Sequence, residues 1–165
     1  MKNHTQLLYN TLLTLSRNVF FYKKLNLPDT FETRIYLMFF HFSIMMIIFK
    51  EKKHKFDQKS YDFLFLNIEN NLRELGFGDV SVNKKMKDLN KILYDILLKI
   101  KKDETDSFEI NKKLVFKYFK DLEKGEIQKY QDFERYFLDF YKFCFELSLE
   151  NMVNNAINFK NYGST

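Results

Sequence analysis

Between Ile35 and Phe49 the chain runs through fifteen residues whose only polar interruptions are His41 and Ser43, with Arg34 and Lys50 closing the run at either end. A helix at the surface of a globule shows one apolar stripe, whereas a segment apolar on every side has to be enclosed. At 1.5 Å per residue this run covers roughly 22 Å, short of the roughly 30 Å hydrocarbon core of a bilayer. It therefore predicts the central helix of a helical bundle. A second expectation is that one of its sides forms a groove for an apolar client or meets a bilayer.

The rest of the chain repeats the helical period, with no strand-like alternation bounded by turns. Leu8, Leu12, Leu15 and Val19 predict a first helix over about Thr5 to Tyr22, stopped by Asn26 and Pro28. Asp29 followed by Glu32 reads as a capping-box-like start for a second helix over about Thr30 to Lys50. Asp57 is a candidate cap for a third, which ends at Gly76, a residue able to take the left-handed backbone conformation. Gly76 to Ser81 form a tight connection in which Asp79 or Ser81 can cap the fourth helix. That helix carries Val82, Met86, Leu89, Leu93, Ile96 and Ile100 at an unbroken 4-3-4-3-4 spacing, a core seam.

The charged run from Lys99 to Asp106 reads as a loop. Asp106 with Glu109 then starts a fifth helix that ends near Gly125. A long last helix places Tyr130, Phe133, Phe137, Phe140, Cys144 and Leu147 on one stripe, and the Asn-rich end beyond Asn151 is expected to fray. The expected fold is all-α: one domain over residues 1–165, a bundle of about six helices.

Composition agrees and adds limits. A chain of 165 residues with 45% hydrophobic content can bury about 70% of its unfolded surface in one core. One Pro and four Gly favour long uninterrupted elements. The 20 Phe and 10 Tyr are also what an AT-rich genome encodes, so the aromatic excess alone carries little functional weight. A single cysteine, Cys144, allows no internal disulfide and fits a reducing compartment. The opening Met1-Lys2-Asn3-His4 has neither a secretory pattern nor the Arg- and Ser-rich character of a mitochondrial presequence. The expected location is bacterial cytoplasm.

The net charge of +5 favours anionic partners. Its densest source is the fourth helix and the residues just after it, with Lys84, Lys85, Lys87, Lys91, Lys99, Lys101 and Lys102 against only Asp88 and Asp95. These lysines are either the solvated face of an amphipathic helix or a footprint for ribosomal RNA or anionic lipid. His41, alone on an apolar helix, reads first as a hydrogen-bonded core residue, second as a client contact and last as a haem or metal ligand. His4 and His54 stand at no metal-ligand spacing with it, Cys144 falls on an apolar stripe, and no nucleophile has a convincing base. Neither a cofactor, a metal nor a catalytic residue is expected.

Two blocks carry a family resemblance. From Asn71 the chain reads NLRELGFGDVSVNKKMKD, placing Leu72-Arg73-Glu74, Gly76, Gly78-Asp79, Val82 and Lys84-Lys85 in sequence. Earlier, Leu27-Pro28-Asp29-Thr30 is followed by Arg34 and His41. In order and spacing both blocks resemble the ubiquinol–cytochrome c chaperone family of respiratory complex III assembly factors, found in alphaproteobacteria and mitochondria. The resemblance is best over residues 20–102. It departs at Thr33, where the family commonly has glycine, at Asn67-Ile68-Glu69, where an acidic triplet is usual, and at Leu93-Tyr94-Asp95-Ile96.

The resemblance implies a non-enzymatic chaperone that binds newly made cytochrome b, associated with the ribosome or the anionic inner-membrane surface and open to a small partner protein. It implies a peripheral location at the inner membrane, on the matrix side in an organelle. Its candidate partner-binding residues are Arg34, His41, Arg73, Glu74, Asp79, Lys84, Lys85 and Lys87, and its structural signature is Pro28, Asp29, Thr30, Gly76 and Gly78. The alternative from charge alone is a generic basic helical adaptor for RNA, ribosomes or anionic membrane. An all-α enzyme would need a polar pocket with perturbed side chains.

Overall fold

The computed structural model describes residues 3–102 and 107–160. Among them are eight α-helices: α1 (Asn3–Ser16), α2 (Phe31–Glu51), α3 (Gln58–Glu74), α4 (Asp79–Lys99), α5 (Lys112–Tyr118), α6 (Lys120–Lys124), α7 (Ile127–Phe145) and α8 (Leu149–Asn155). A π-helical turn at Phe20–Lys24 and a 3₁₀ turn at Ala156–Asn158 complete the order. The only extended pairing among the described residues is an isolated bridge between Lys101 and Ile110.

The apolar run does make the centre. α1, α4 and α7 all pack on α2. Phe39, Phe40, Phe42, Ile44, Met45 and Ile48 are fully buried, each stabilising the fold by roughly 1.5–3 kcal/mol. The full helix has 21 residues and is, by length and composition, long and apolar enough to cross a membrane. Yet 67% of its most apolar window is buried inside the bundle. α1, α4 and α7 cover much of its length, while clefts open beside its two ends, one lined by Glu32, Thr33 and Tyr36 and the other by Phe49.

At the heart of the core His41 meets three rings of α7, Tyr136, Phe137 and Phe140. Its Nδ1 lies 2.7 Å from the Leu37 carbonyl oxygen, which can only accept, so Nδ1 carries the proton. Nε2, 2.7 Å from the Tyr136 hydroxyl, then accepts from it. Burial pushes the imidazole pKa down to about 3, so the ring is neutral. The core reading of His41 is what the packing displays; the side chain reaches no surface where a client could touch it.

Several boundaries differ from expectation for local reasons. The first helix stops at Ser16, where Asn18 Oδ1 accepts from the Phe20 amide at 3.0 Å and the Tyr22 hydroxyl donates to the Ser16 carbonyl at 2.7 Å. Polar groups that satisfy the backbone locally compete with helix continuation. The break turns Phe20 and Phe21 into the core and leaves Val19, expected on the stripe, 62% exposed.

α2 is capped by Thr30, whose side chain accepts from the Thr33 amide at 3.2 Å, and not by Asp29. Asp29 instead accepts from Arg34 Nη1 at 2.7 Å. Asp106, the expected start of a fifth helix, lies outside the described residues. The helix found there begins after Asn111, which caps it by accepting from the Lys113 and Leu114 amides. It splits at Phe119, whose non-helical backbone (φ −125°, ψ 70°) accompanies burial of the ring against Phe40 and Phe133.

As far as residue 160 the Asn-rich end is ordered rather than frayed, and residues 161–165 lie outside the described residues. α8 packs on α1, burying Met152, and the Thr11 hydroxyl donates to the Val153 carbonyl at 2.9 Å. Leu147 lies past the end of α7, where Lys52 Nζ donates to the carbonyls of Phe145 (2.6 Å) and Leu147 (3.1 Å). A cation at a helix C-terminus satisfies orphan carbonyls and complements the dipole.

Candidate functional site

The turn between α3 and α4 is built by its own hydrogen bonds. Asp57 starts α3 as expected, accepting from the Lys59 amide and the Ser60 hydroxyl. At the other end the Phe77 amide donates to the Leu72 carbonyl (3.3 Å) and the Gly76 amide to the Arg73 carbonyl (3.0 Å). This is the Schellman pattern, and it requires a left-handed residue, which Gly76 supplies at φ +98°. Gly78 differs. Its backbone is ordinary extended chain, and an added Cβ would meet nothing within 4 Å.

Gly78 also occupies the cap position of α4 without a side-chain bond, a role expected of Asp79 or Ser81. Asp79 is the first helical residue, where a carboxylate complements the dipole. It pairs with Arg73, which also reaches Glu69 at 3.4 Å. These bonds raise the Arg73 pKa, the one to Asp79 most. Arg73 thus ties the last turn of α3 to the first turn of α4 from an exposed position, while Glu74 beside it is exposed to solvent.

α4 then has two faces. Inward lie Val82, Leu89, Leu93, Ile96 and Ile100, all buried, with Met86 partly covered. Outward lie Val80, Lys84, Lys87, Lys91, Tyr94 and Leu98, all exposed and also spaced 4-3-4-3-4. At roughly 100° per residue the two series fall on opposite sides of the helix. Val80 is 85% exposed, Leu98 79% and Tyr94 54%. Leu75 and Phe77, in the turn just before, are exposed as well.

The seven lysines expected to form one footprint separate. Among the described residues no ion pair involves Lys84, Lys87 or Lys91, which share the outer stripe. Lys85 stands on the flank with Nζ 4.7 Å over the Phe77 ring. Lys99 pairs with Asp95 at 2.7 Å and Lys101 with Glu51 at 3.5 Å, while the Lys102 amide donates to the Glu109 carbonyl. Burial would raise the Asp95 carboxyl pKa, but Lys117, Lys99 and Tyr118 together hold it well below the ordinary range. Asp95 is a pin between α4 and α5.

The early block lies at the start of α2, where its Arg34 and the signature's Glu74 both act on Tyr9 of α1. Arg34 lines a cleft of about 330 Å³ with Arg17, Val19, Tyr22, Lys23 and Asp29. Pro28 lines another, of about 540 Å³, between the start of α2 and residues 117–121. A third, of about 700 Å³, opens where α2 ends, with Leu7, Phe49, Phe56, Leu149 and Val153 among its apolar lining. Among the described residues no group of three His, Cys, Asp or Glu side chains could hold a metal. Cys144 is fully buried, and burial pushes its thiol pKa up to about 12, far from a reactive thiolate.

Sequence reasoning found the lysines and missed the apolar residues between which they sit. The signal was present, since Val80, Tyr94 and Leu98 continue the spacing of Lys84, Lys87 and Lys91 at both ends.

The family model for ubiquinol-cytochrome C chaperones matches residues 23–107, just over half of the chain. This chain belongs to the ubiquinol-cytochrome C chaperone family. The matched segment takes in α2, α3, the signature turn and α4. The chaperone match thus spans both faces of α4 and ends before α5 begins. Neither the comparison with curated proteins nor that with solved structures gives a match.

Proposed function

We propose that this chain is an assembly chaperone for ubiquinol–cytochrome c reductase, respiratory complex III, and that its client is newly made cytochrome b. It acts by binding, without catalysis, and holds the client until haem and partner subunits are in place. The observation that carries this reading is the family match across the signature turn and α4. The exposed residues of that segment include several that the core does not need.

Two contacts divide the work. The outer face of α4 is the docking surface, which brings the protein to the inner-membrane side where cytochrome b emerges from the ribosome. The client is held elsewhere. The flank of α2 is largely covered by α1, α4 and α7, so the cleft at its C-terminal end is the better place. There Phe49, Phe56, Leu149 and Val153 stand among polar residues such as Lys55, Asp57 and Glu150.

The test is an affinity pull-down of the tagged protein from its native membranes, paired with haem spectra of a deletion strain. Co-recovery of cytochrome b with loss of the b-type haem signal on deletion is expected. Recovery of RNA or lipid alone, with normal b-type spectra, would replace the assembly reading with a generic basic adaptor.

A further inference from the structure

The lysines of α4 leave open which polyanion they meet, and the residues around them decide it. We infer that the outer face of α4 docks on an anionic phospholipid bilayer, lying along its surface with Val80 and Leu98 dipping below the headgroups. This rests on reading that face as a docking surface; it does not rest on the identity of the client.

The stripe runs from Val80 to Leu98, about 27 Å of helix at 1.5 Å per residue. Its ends are apolar and its middle is Lys84, Lys87 and Lys91. An acidic side chain is absent from it, with Asp88 on the flank and Asp95 held by Lys99 and Lys117. Leaving Val80 and Leu98 this exposed in water is unfavourable, and the bundle next to them offers no cover. At a headgroup boundary both conditions are met. Apolar side chains enter the acyl region, and lysine stems lie along it while their ammonium groups reach the phosphates.

RNA fits less well. A single strand is held by successive aromatic platforms, and this face has one, Tyr94. A duplex is held through its phosphates, which gives Val80 and Leu98 nothing to do. The cations are all lysines, point charges suited to a fluid array of phosphates and not to fixed bidentate recognition.

The experiment is flotation of the full-length protein with vesicles of equal parts phosphatidylcholine and phosphatidylglycerol, against vesicles of phosphatidylcholine alone. Binding to the anionic vesicles only is expected. With polybasic attraction worth about 1 kcal/mol per lysine, the K84Q/K87Q/K91Q variant should bind roughly 100-fold more weakly. The V80S/L98S variant keeps every charge and should still lose about tenfold, at unchanged circular dichroism.

Purified ribosomal RNA is the competing probe. Tight RNA binding with vesicle binding absent, or V80S/L98S binding vesicles as well as the parent, would overturn the inference. Cytochrome b still co-purifying in that case would leave the assembly reading standing.

Discussion

α2 and α4 are each 21 residues long, adjacent in the bundle and opposite in design. α2 is covered over much of its length, so most of its residues are committed to the fold and even its histidine is consumed by packing. α4 spends one side on the core and leaves the other unclaimed, with lysines unpaired among the described residues and apolar side chains in water. The more apolar helix is therefore the poorer candidate for a membrane contact, and its share in holding a client is confined to the cleft at its C-terminal end. Hydrophobicity marks what a fold must hide, whereas a functional surface shows as residues that packing cannot account for.

The largest contrast should come from truncating the centre of α2. Phe40→Ala removes a ring packed on Phe119, Phe133 and Phe137, and should cost about 3–5 kcal/mol in urea unfolding. Next is Tyr136→Phe, which leaves His41 Nε2 buried without its donor and should cost about 1–3 kcal/mol.

The same histidine gives a pH signature. Folded His41 titrates near 3 against an ordinary 6.5, so in acid the unfolded chain takes up a proton that the folded chain refuses. Its contribution is complete above 6.5 and falls with pH through the window down to about 3, by up to about 1.4 kcal/mol per pH unit. His41→Gln should flatten that part of the stability profile; an unchanged slope would mean the ring is not buried neutral.

The signature turn permits a finer comparison. Gly76→Ala should lose about 1 kcal/mol, because of the turn's two glycines only Gly76 has the left-handed backbone, while Gly78→Ala should change stability by less than about 0.5 kcal/mol. Smallest of all should be K84Q/K87Q/K91Q, within about 0.5 kcal/mol of the parent in thermal or urea melts. A large loss there would mean the outer face of α4 belongs to the fold after all.

The sequence made the centre and the seam legible because both depend on periodicity, which Ile35–Phe49 and Val82–Ile100 display without interruption. Gly76 was legible because left-handed backbone after a helix has few other solutions. The failures are local. Asn18 and Tyr22 break the first helix through side-chain bonds that periodicity does not register. The fifth helix splits at Phe119, whose ring contacts α2 and α7, distant in sequence. Asp29 reads as the cap of α2, but its carboxylate pairs with Arg34 and the Thr30 side chain caps the helix instead. For the site, charge revealed Lys84, Lys87 and Lys91. The exposure of Val80 and Leu98 became visible only once the seam had fixed which side of α4 faces inward.

The most direct test is the b-type haem spectrum of membranes from a deletion strain complemented with K84Q/K87Q/K91Q, with expression and folding matched to the parent. A missing b-type signal, restored by the parent chain, is the result expected if the outer face of α4 is dispensable for folding and required for complex III assembly. Full restoration by the variant would contradict that claim.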